Sequence, residues 1–509
     1  MTSRIWVSCS MNHRPLAFSC SVVLPKPSSI DKGADADRLR DALEKLGMRH
    51  VHMSLDIMQR LPRVLREHDF SADLVIGCTE EGYEVLEVGG TGGVHGVALD
   101  IGTTTIECAL YDLRDKRQID VQDIPNPQSV YGADVLARVQ LAMAGRHDEL
   151  VRVLRAGIDH LVRAVCDRNF IDTRSVYALT VSGNTIMSHF FLGLDTTNIP
   201  LVPNIPAAGD PVFCAAADLG VSVNPKATVY VFPNAGSYVG GDIISGMIAL
   251  EMLKQDAPVL FMDVGTNVEI TLGCSEWIMV GAGAAGPALE GGIAGIGRKA
   301  GPGTISRVSM DHQTSRMNLT VISGGEPVGI CGSGLIDLVS ELYRTGIIDR
   351  AGKFNVSEKG VVVKDGVPAY LVYGSPEKEL VITEHELQNF LRSKAAMFAF
   401  LYVFLRSVGM KTGDVDRVYV SGALGCGINV DSAVNIGMLP DIDRKRIVPM
   451  GNTSLKGASM VLTDSGLRDD VRRIRSLITY REMSEDADLL NVLQGALFIP
   501  HTDPRMLKY

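Results

Sequence analysis

Two aspartates lie in short segments of nearly the same pattern, and both could act on a polyphosphate. Asp100 ends an apolar run and is followed by Gly102 and three threonines, while Asp263 ends a second apolar run and is followed by Gly265. Each segment predicts a strand, a D-x-G-T turn and a second strand, because glycine permits a turn that a side chain would obstruct. Backbone amides and threonine hydroxyls in such a hairpin can bind phosphate oxygens, and the carboxylate can hold the water shell of Mg²⁺.

The spacing of the two aspartates favours a functional interpretation. A single D-x-G-T is most often an ordinary β-hairpin, since Asp and Gly are turn residues. The two copies are 263 − 100 = 163 residues apart, which is typical of a duplicated domain and not of a solenoid repeat. We expect Asp100 and Asp263 to hold Mg²⁺ through water and to serve catalysis. The expected phosphate-binding residues of the hairpins are Gly102, Thr103, Thr104, Thr105, Gly265, Thr266 and Asn267.

A third segment could bind the adenosine of a nucleotide. An apolar strand runs into a loop of small residues that contains Gly422, Ala423 and Gly425. The backbone of such a loop can approach a ligand closely, although a tight strand-to-helix connection would use the same residues. The two hairpins favour nucleotide binding here.

Three other polar residues each have two interpretations. Asp242 could orient or deprotonate an attacking water, or it could cap a helix that starts at Ile243. Asp134 has the same ambiguity. Cys331, between glycines, could line the cleft or contribute to a cluster shared across a dimer, but a buried structural cysteine is favoured.

Composition excludes several classes of protein. The 509 residues include 49 Lys and Arg against 59 Asp and Glu, a net charge of −10, whereas a nucleic-acid-binding protein normally has a basic excess. None of the nine cysteines lies three positions from another, so no zinc-finger or ferredoxin-like spacing is present. The apolar run at 395–405 has eleven residues, fewer than the roughly 20 that a membrane span needs. We therefore expect a buried core helix there, no membrane or nucleic-acid partner, and a cytoplasmic protein.

The first 93 residues predict a small α/β module. Helices are expected at 38–47 and at 61–69, the second with proline in its first turn, and strands near 73–76 and 84–88. The predicted divisions are an unassigned segment at 1–35, the small module with a glycine-rich linker at 36–93, a first lobe at 94–257, a second lobe with the adenosine loop at 258–462, and a helical return segment at 463–509.

The hairpins and the small-residue loop together resemble the superfamily of acetate and sugar kinases, heat-shock chaperones and actin. That resemblance implies a two-lobed ATPase of duplicated ribonuclease H-like α/β domains, with the small α/β domain in front. Further segments are similar to the reductive activators of corrinoid-dependent proteins, and the small module, especially 61–69, is similar to that family's middle domain. These segments are 126–135, 181–185, 238–242, 329–337 and 496–501. The resemblance adds Gly332 and Ser333 to the expected ATP contacts.

The family resemblance implies ATP-dependent restoration of cobalt(I) from cobalt(II) in a corrinoid protein of a methyltransferase system, by a homodimer. Family members usually carry a [2Fe-2S] domain or ferredoxin-like clusters, but residues 1–35 contain only Cys9 and Cys20, and no cysteine follows Cys426. We therefore expect no iron-sulfur cluster and a separate ferredoxin-like electron donor, or a role confined to remodelling the partner. The alternatives are a small-molecule kinase of the same superfamily and a nucleotide-gated binding protein without catalysis.

Overall fold

The computed structural model describes residues 13–90, 92–132, 134–265, 267–284, 293–311, 316–425, 427–483 and 488–508. The chain forms two compact units. The first comprises Met1–Glu251 and Thr453–Ser476, and the second comprises Met252–Asn452 and Leu477–Tyr509.

The first unit begins with a four-stranded sheet in the order β1-β3-β4-β2, covered by two amphipathic helices. Leu39 and Leu43 of α1 and Leu61 and Leu65 of α2 are fully buried, which places the apolar face of each helix in the module's core. The elements are β1 (Ala17–Val23), α1 (Asp35–Lys45), β2 (Val51–Met53), α2 (Leu55–Glu67), β3 (Ser71–Cys78) and β4 (Tyr83–Val88).

The module differs from the sequence prediction in two respects. Helix α2 begins at Leu55, so Pro62 lies inside it and not in its first turn, because buried Ile57 extends the apolar face toward the N-terminus. Strand β1 pairs antiparallel with β3. Part of the segment 1–35, to which the sequence assigns no element, therefore belongs to the small module.

The rest of the first unit is a six-stranded sheet in the order β7-β6-β5-β8-β10-β9. Strands β5 and β6 form an antiparallel hairpin, and β5, β8 and β10 run parallel. Every residue of β8 is buried. The elements are β5 (His95–Ile101), β6 (Thr105–Asp112), β7 (Arg117–Pro125), α3 (Val135–Leu141), α4 (His147–Arg168), β8 (Val176–Gly183), α5 (Thr185–Leu192), β9 (Val212–Ala215), α6 (Ala216–Leu219), β10 (Thr228–Val231) and α7 (Gly241–Ala249).

The second unit repeats this arrangement. Its central sheet has the order β21-β20-β11-β12-β13-β22, with β11 and β12 in an antiparallel hairpin and β11, β20 and β21 parallel. The remaining strands form two three-stranded sheets. The elements are β11 (Val259–Val264), β12 (Asn267–Gly273), β13 (Ile278–Ala284), β14 (Thr304–Asp311), β15 (Arg316–Val321), β16 (Gly329–Ile330), α8 (Gly332–Arg344), β17 (Val361–Lys364), β18 (Val367–Gly374), β19 (Glu379–Thr383), α9 (Glu384–Ser407), β20 (Val418–Ser421), α10 (Gly422–Gly425), α11 (Val430–Asn435) and β21 (Ile447–Gly451).

Equivalent strand orders in the two central sheets confirm the predicted duplication. In each, a hairpin strand carrying the aspartate is flanked by its antiparallel partner on one side and by two parallel strands on the other. The apolar run at 395–405 lies within α9, as predicted, and is largely buried. In the part of the chain that the structure describes, no helix is both long and apolar enough to cross a membrane.

The last elements are α12 (Thr453–Thr463), α13 (Leu467–Leu477), β22 (Ile478–Tyr480) and α14 (Leu489–Ala496). Helix α12 packs against α7, β5 and β8. A Cβ added at Gly457 would lie 1.8 Å from the carbonyl oxygen of Ser245, so the two helices touch through their backbones. The boundary predicted at 462 is therefore displaced, because 453–462 belong to the first unit.

Candidate nucleotide site

The turn after Asp100 is held from one side through three consecutive carbonyls. The side-chain amide of Asn126 donates to Gly102 O at 2.8 Å, Arg138 donates to Thr103 O at 2.7 Å, and the backbone amide of Asn126 donates to Thr104 O at 2.8 Å. In a planar trans peptide the C=O and the following N–H point in opposite directions. The N–H groups that follow these carbonyls therefore face away from Asn126 and Arg138, where they can bind an anion.

Asp100 itself is part of a network of buried hydroxyls. Ser454 of α12 donates to Asp100 Oδ1 at 2.7 Å, and its hydroxyl lies 2.9 Å from that of Ser182 at the end of β8. The Ser182 hydroxyl lies 2.7 Å from that of Ser245, which donates to the backbone oxygen of Asp242 at 3.0 Å. The network thus joins the acid of the hairpin to the first turn of α7.

Asp242 lies in the first turn of α7, but it is not the N-cap. The helix begins at Gly241 with Gly240 as its N-cap, and Asp242 Oδ1 accepts from the N–H of Ile243 at 2.8 Å. The proposed cap of a helix starting at Ile243 is therefore misplaced. The side chain keeps partial access to solvent although protein atoms surround it closely, and this burial raises the pKa of Asp242 to about 6. A carboxyl with such a pKa can accept a proton near neutral pH.

The structural alternative for Asp134 is supported. Asp134 is the N-cap of α3, and its Oδ1 accepts from the N–H of Ala137 at 2.8 Å. Unlike Asp242, it has a capping role that accounts for its position.

Two residues beside the turn, Asn184 and Arg138, were not predicted from the sequence as site residues. The segment 181–185 contains the first, and the segment 126–135 precedes the second. Asn184 caps α5 by accepting from the N–H of Met187 at 3.0 Å, and its amide donates to Thr103 Oγ1 at 3.2 Å. Arg138, three residues beyond the segment 126–135, is fully buried beneath the turn. A Cβ added at Gly240 would lie 2.5 Å from Asn184 Cα, so the N-termini of α5 and α7 meet beside the turn.

The second unit places Asp263 beside the glycine loop. Asp263 on β11 is paired with Ser421 on β20, and Gly422 follows with φ +73°. A Cβ at Gly422 would lie 2.4 Å from Asp263 Oδ1 and 2.6 Å from Val264 O. Glycine is required there by both its left-handed conformation and the lack of space. The second aspartate and the small-residue loop, predicted separately, therefore lie together.

The remaining residues of the predicted second hairpin and loop have different surroundings. Gly265 and Asn267 are exposed, and the N–H of Gly265 donates to Asn267 O at 2.9 Å to close the hairpin. A Cβ at Gly425 would lie 2.5 Å from Val420 O, while Ala423 lies in α10. Thr266 lies outside the described residues.

Gly332 and Ser333 form the first turn of α8, which contacts α10. The Ser333 hydroxyl donates to Ser306 O at 3.1 Å and lies 3.2 Å from Cys331 Sγ. That hydroxyl already has a structural partner, so the backbone is the better candidate for a ligand contact. Cys331 is buried, in agreement with its structural interpretation.

Mg²⁺ prefers oxygen ligands and keeps much of its water shell when it is bound. The Asp100 carboxylate fits this preference because Ser454 orients it and because it is only partly buried. Six of the seven cysteines whose burial the structure describes are buried, and among the described residues no group of three or more His, Cys, Asp or Glu could hold a metal ion. The absence of an iron-sulfur cluster remains a prediction. That Asp100 and Asp263 oppose each other across a nucleotide remains a prediction.

Models of known protein families match nearly the whole chain. Family models match as the RACo linker region at 9–91, the RACo middle region at 95–255, and the C-terminal domain of RACo, the ASKHA domain, at 257–509. A solved "Reductive activator for corrinoid,iron-sulfur protein" is 33% identical, with a TM-score of 0.92 over 98% of this chain and 81% of that chain. The chain belongs to the RACo family.

Two curated proteins are also similar to this RACo-family chain. The corrinoid activation enzyme RamQ of Eubacterium limosum is 28% identical over 470 residues, 85% of this chain and 78% of that protein. The [Co(II) methylated amine-specific corrinoid protein] reductase of Methanosarcina barkeri is 26% identical over 416 residues, 76% of this chain and 73% of that protein. The resemblance to reductive activators and the ASKHA fold are thus confirmed. One detail was wrong: the small module matches the family's linker region, and the middle region is the first lobe.

Proposed function

We propose that this RACo-family chain couples ATP hydrolysis to the reductive activation of a corrinoid protein. The proposed nucleotide binding rests on one observation. All three carbonyls of the turn 102–104 accept hydrogen bonds from Asn126 or Arg138, so the N–H groups that follow them face the opposite side, where an anion can bind. The proposed partner is that of the relatives, which are a corrinoid activation enzyme and a corrinoid protein reductase.

The candidate site residues have distinct roles in this proposal. The amides after Gly102 bind phosphate oxygens, and Asp100, held by Ser454, orients the water shell of Mg²⁺ together with Asp263. Mg²⁺, when bound, neutralises charge on the phosphates. Asp242 orients the attacking water and can accept its proton, because the pKa of Asp242 is raised to about 6.

The reaction on cobalt requires one electron, since cobalt(II) gains one electron to become cobalt(I). We propose that a separate ferredoxin-like donor supplies it and is oxidised by one electron. Burial raises the pKa of the Cys166 thiol to about 12, and metal ligation needs the thiolate, so this cysteine is a poor cluster ligand. Iron and sulfide analysis of the 509-residue chain purified without oxygen should give well under two irons per chain. About two irons would contradict the separate donor.

ATP binding is also proposed to favour a closed form of the two lobes and a changed affinity for the corrinoid partner. A ligand shifts a conformational equilibrium only by its differential affinity for the two states, and a shift from 1:99 to 99:1 needs about 5.5 kcal/mol. Hydrolysis would then release the partner. We propose a homodimer as the active form, which light scattering of the purified protein tests directly.

The deciding experiment is an ATPase assay with and without an oxidised corrinoid protein of the same organism, monitored together with the cobalt(II) spectrum. The proposal expects faster hydrolysis with the partner and a spectral change on adding ATP. A small-molecule kinase would hydrolyse ATP quickly only with its acceptor substrate. A nucleotide-gated binding protein would bind ATP and partner without hydrolysis above background.

A further inference from the structure

Arg138 is a fully buried cation without an ion pair among the described residues. Its guanidinium donates to two backbone oxygens, Gly132 O at 3.0 Å and Thr103 O at 2.7 Å. The third nitrogen lies 3.5 Å from Gln128 Oε1 and 3.4 Å from Met187 Sδ. Neutral dipoles and a sulfur atom are therefore its immediate partners.

A buried charge without a counter-ion destabilises a folded protein. Burial lowers the pKa of Arg138 to about 10, so the group is still charged at neutral pH. The negative charge of Asp134 acts to raise the pKa of Arg138. The Asp134 carboxylate, however, caps α3 by accepting a hydrogen bond from the N–H of Ala137. The structure of the unit thus retains a positive charge that its own residues leave largely uncompensated.

The charge of Arg138 lies against the turn 102–104, which is proposed to bind phosphate. The Thr103 carbonyl that accepts from Arg138 belongs to the turn whose N–H groups face the opposite side. We infer that Arg138 supplies, through this turn, the positive charge that the nucleotide's phosphates compensate, and so makes the site prefer the more highly charged nucleotide. This inference rests on the proposed ATP site, and Arg138 is a positioning residue that does not touch the nucleotide.

The first test compares the affinities of ATP, ADP and AMP, with Mg²⁺, for the parent protein and Arg138→Gln. Loss of a positive charge that lies directly behind the turn should weaken the binding of ATP roughly tenfold or more, and the binding of AMP much less. Arg138→Lys keeps the charge and should keep most of the ATP-to-AMP ratio. An Arg138→Gln protein that retains the parent's ratio would overturn the inference.

Arg155→Gln is the matched control. Arg155 is partly buried in the first unit, and like Arg138 it donates to a backbone oxygen, Phe191 O, at 2.8 Å and has its pKa lowered by burial. It makes no hydrogen bond to the described turn 102–104, so its replacement should leave the ratio of affinities at the parent value. A loss equal to that of Arg138→Gln would show a general effect of removing a buried arginine.

A second pair of variants leaves Arg138 in place, and it tests the role of its charge even if the Arg138→Gln protein does not fold. Met187→Glu puts a carboxylate beside the guanidinium, whereas Met187→Gln adds a neutral group of the same size. With its charge compensated internally, the Glu variant should bind ATP several-fold more weakly than the Gln variant, and AMP about equally. Equal ATP affinities of the two variants would overturn the inference. If the parent itself bound none of the three nucleotides, the proposed ATP site would fail instead.

Discussion

Ser454 donates a hydrogen bond to Asp100 at 2.7 Å, although the two residues lie 354 positions apart in the chain. The contact exists because α12 returns to pack against β5 and β8, within the first unit. Ser182 and Ser245 extend it to the first turn of α7. The C-terminal part of the chain thus orients an acid of the N-terminal lobe, and catalysis should depend on a residue far from either hairpin in sequence.

Ser454→Ala should slow ATP hydrolysis about tenfold, because a hydrogen bond to a charged group contributes roughly 1.5–3 kcal/mol and Asp100 would lose its orientation. Steady-state ATPase rates measure the effect. Ser459→Ala is the control, since Ser459 is also buried in α12 but its side chain makes no hydrogen bond to any described residue. Equal rates for the two variants would mean that the contact with Asp100 does not matter for hydrolysis.

Asp263→Asn should reduce the ATPase rate by about 100-fold or more, the usual cost of losing one electrostatic contact in an active site. Asn has nearly the same size, so the close packing against Gly422 is preserved. Asp365→Asn, at an exposed turn between β17 and β18, should leave the rate unchanged. A parent-like rate in Asp263→Asn would remove the second hairpin from the proposed site.

The two hairpins could be predicted from sequence because each is a local pattern in which strand, turn and acid are contiguous. The hydroxyl network could not, since Ser182, Ser245 and Ser454 come from three distant helices and strands and carry no spacing signal. Arg138 was missed for another reason. Arginine is almost never fully buried unless it is paired, and the hydrogen bond from Arg138 to Thr103 O appears only once the chain is folded.

Lys394→Met should destabilise the second unit. Lys394 is fully buried, and its ammonium donates to the backbone oxygens of Ala496 at 2.7 Å, Phe498 at 2.9 Å and Pro500 at 2.5 Å. Leaving buried acceptors unpaired costs about 1–3 kcal/mol each, so the loss of three bonds should lower the free energy of unfolding in urea by roughly 3 kcal/mol or more. Lys364→Met, at an exposed position on β17, should have little effect. Equal stability of the two variants would show that Lys394 does not anchor the C-terminal segment.

Asp242→Asn should stabilise the protein near neutral pH. Burial raises the pKa of Asp242 from 3.8 to about 6, so between these values the folded state binds more protons than the unfolded state. Stability therefore falls as pH rises from about 4 to about 6, and the loss is complete above that range. Because other acids titrate in the same window, the measurement is the difference in urea midpoints between parent and variant, which should grow from about pH 4 to about pH 7.

The same carboxyl should also make the rate of ATP hydrolysis depend on pH. Ionisation of Asp242 lowers the stability of the fold, but it should raise the rate of hydrolysis. Only ionised Asp242 can accept a proton from the attacking water, so the parent's ATPase rate should rise as pH increases through about 6. Asp242→Asn should be slow at every pH and should lack this rise. Asp134→Asn is the matched control, because asparagine can still cap α3 and the rise should persist. If Asp242→Asn kept both the parent's rate and its pH profile, the partly buried carboxyl would have no role in activating water, and its raised pKa would remain only a cost to stability.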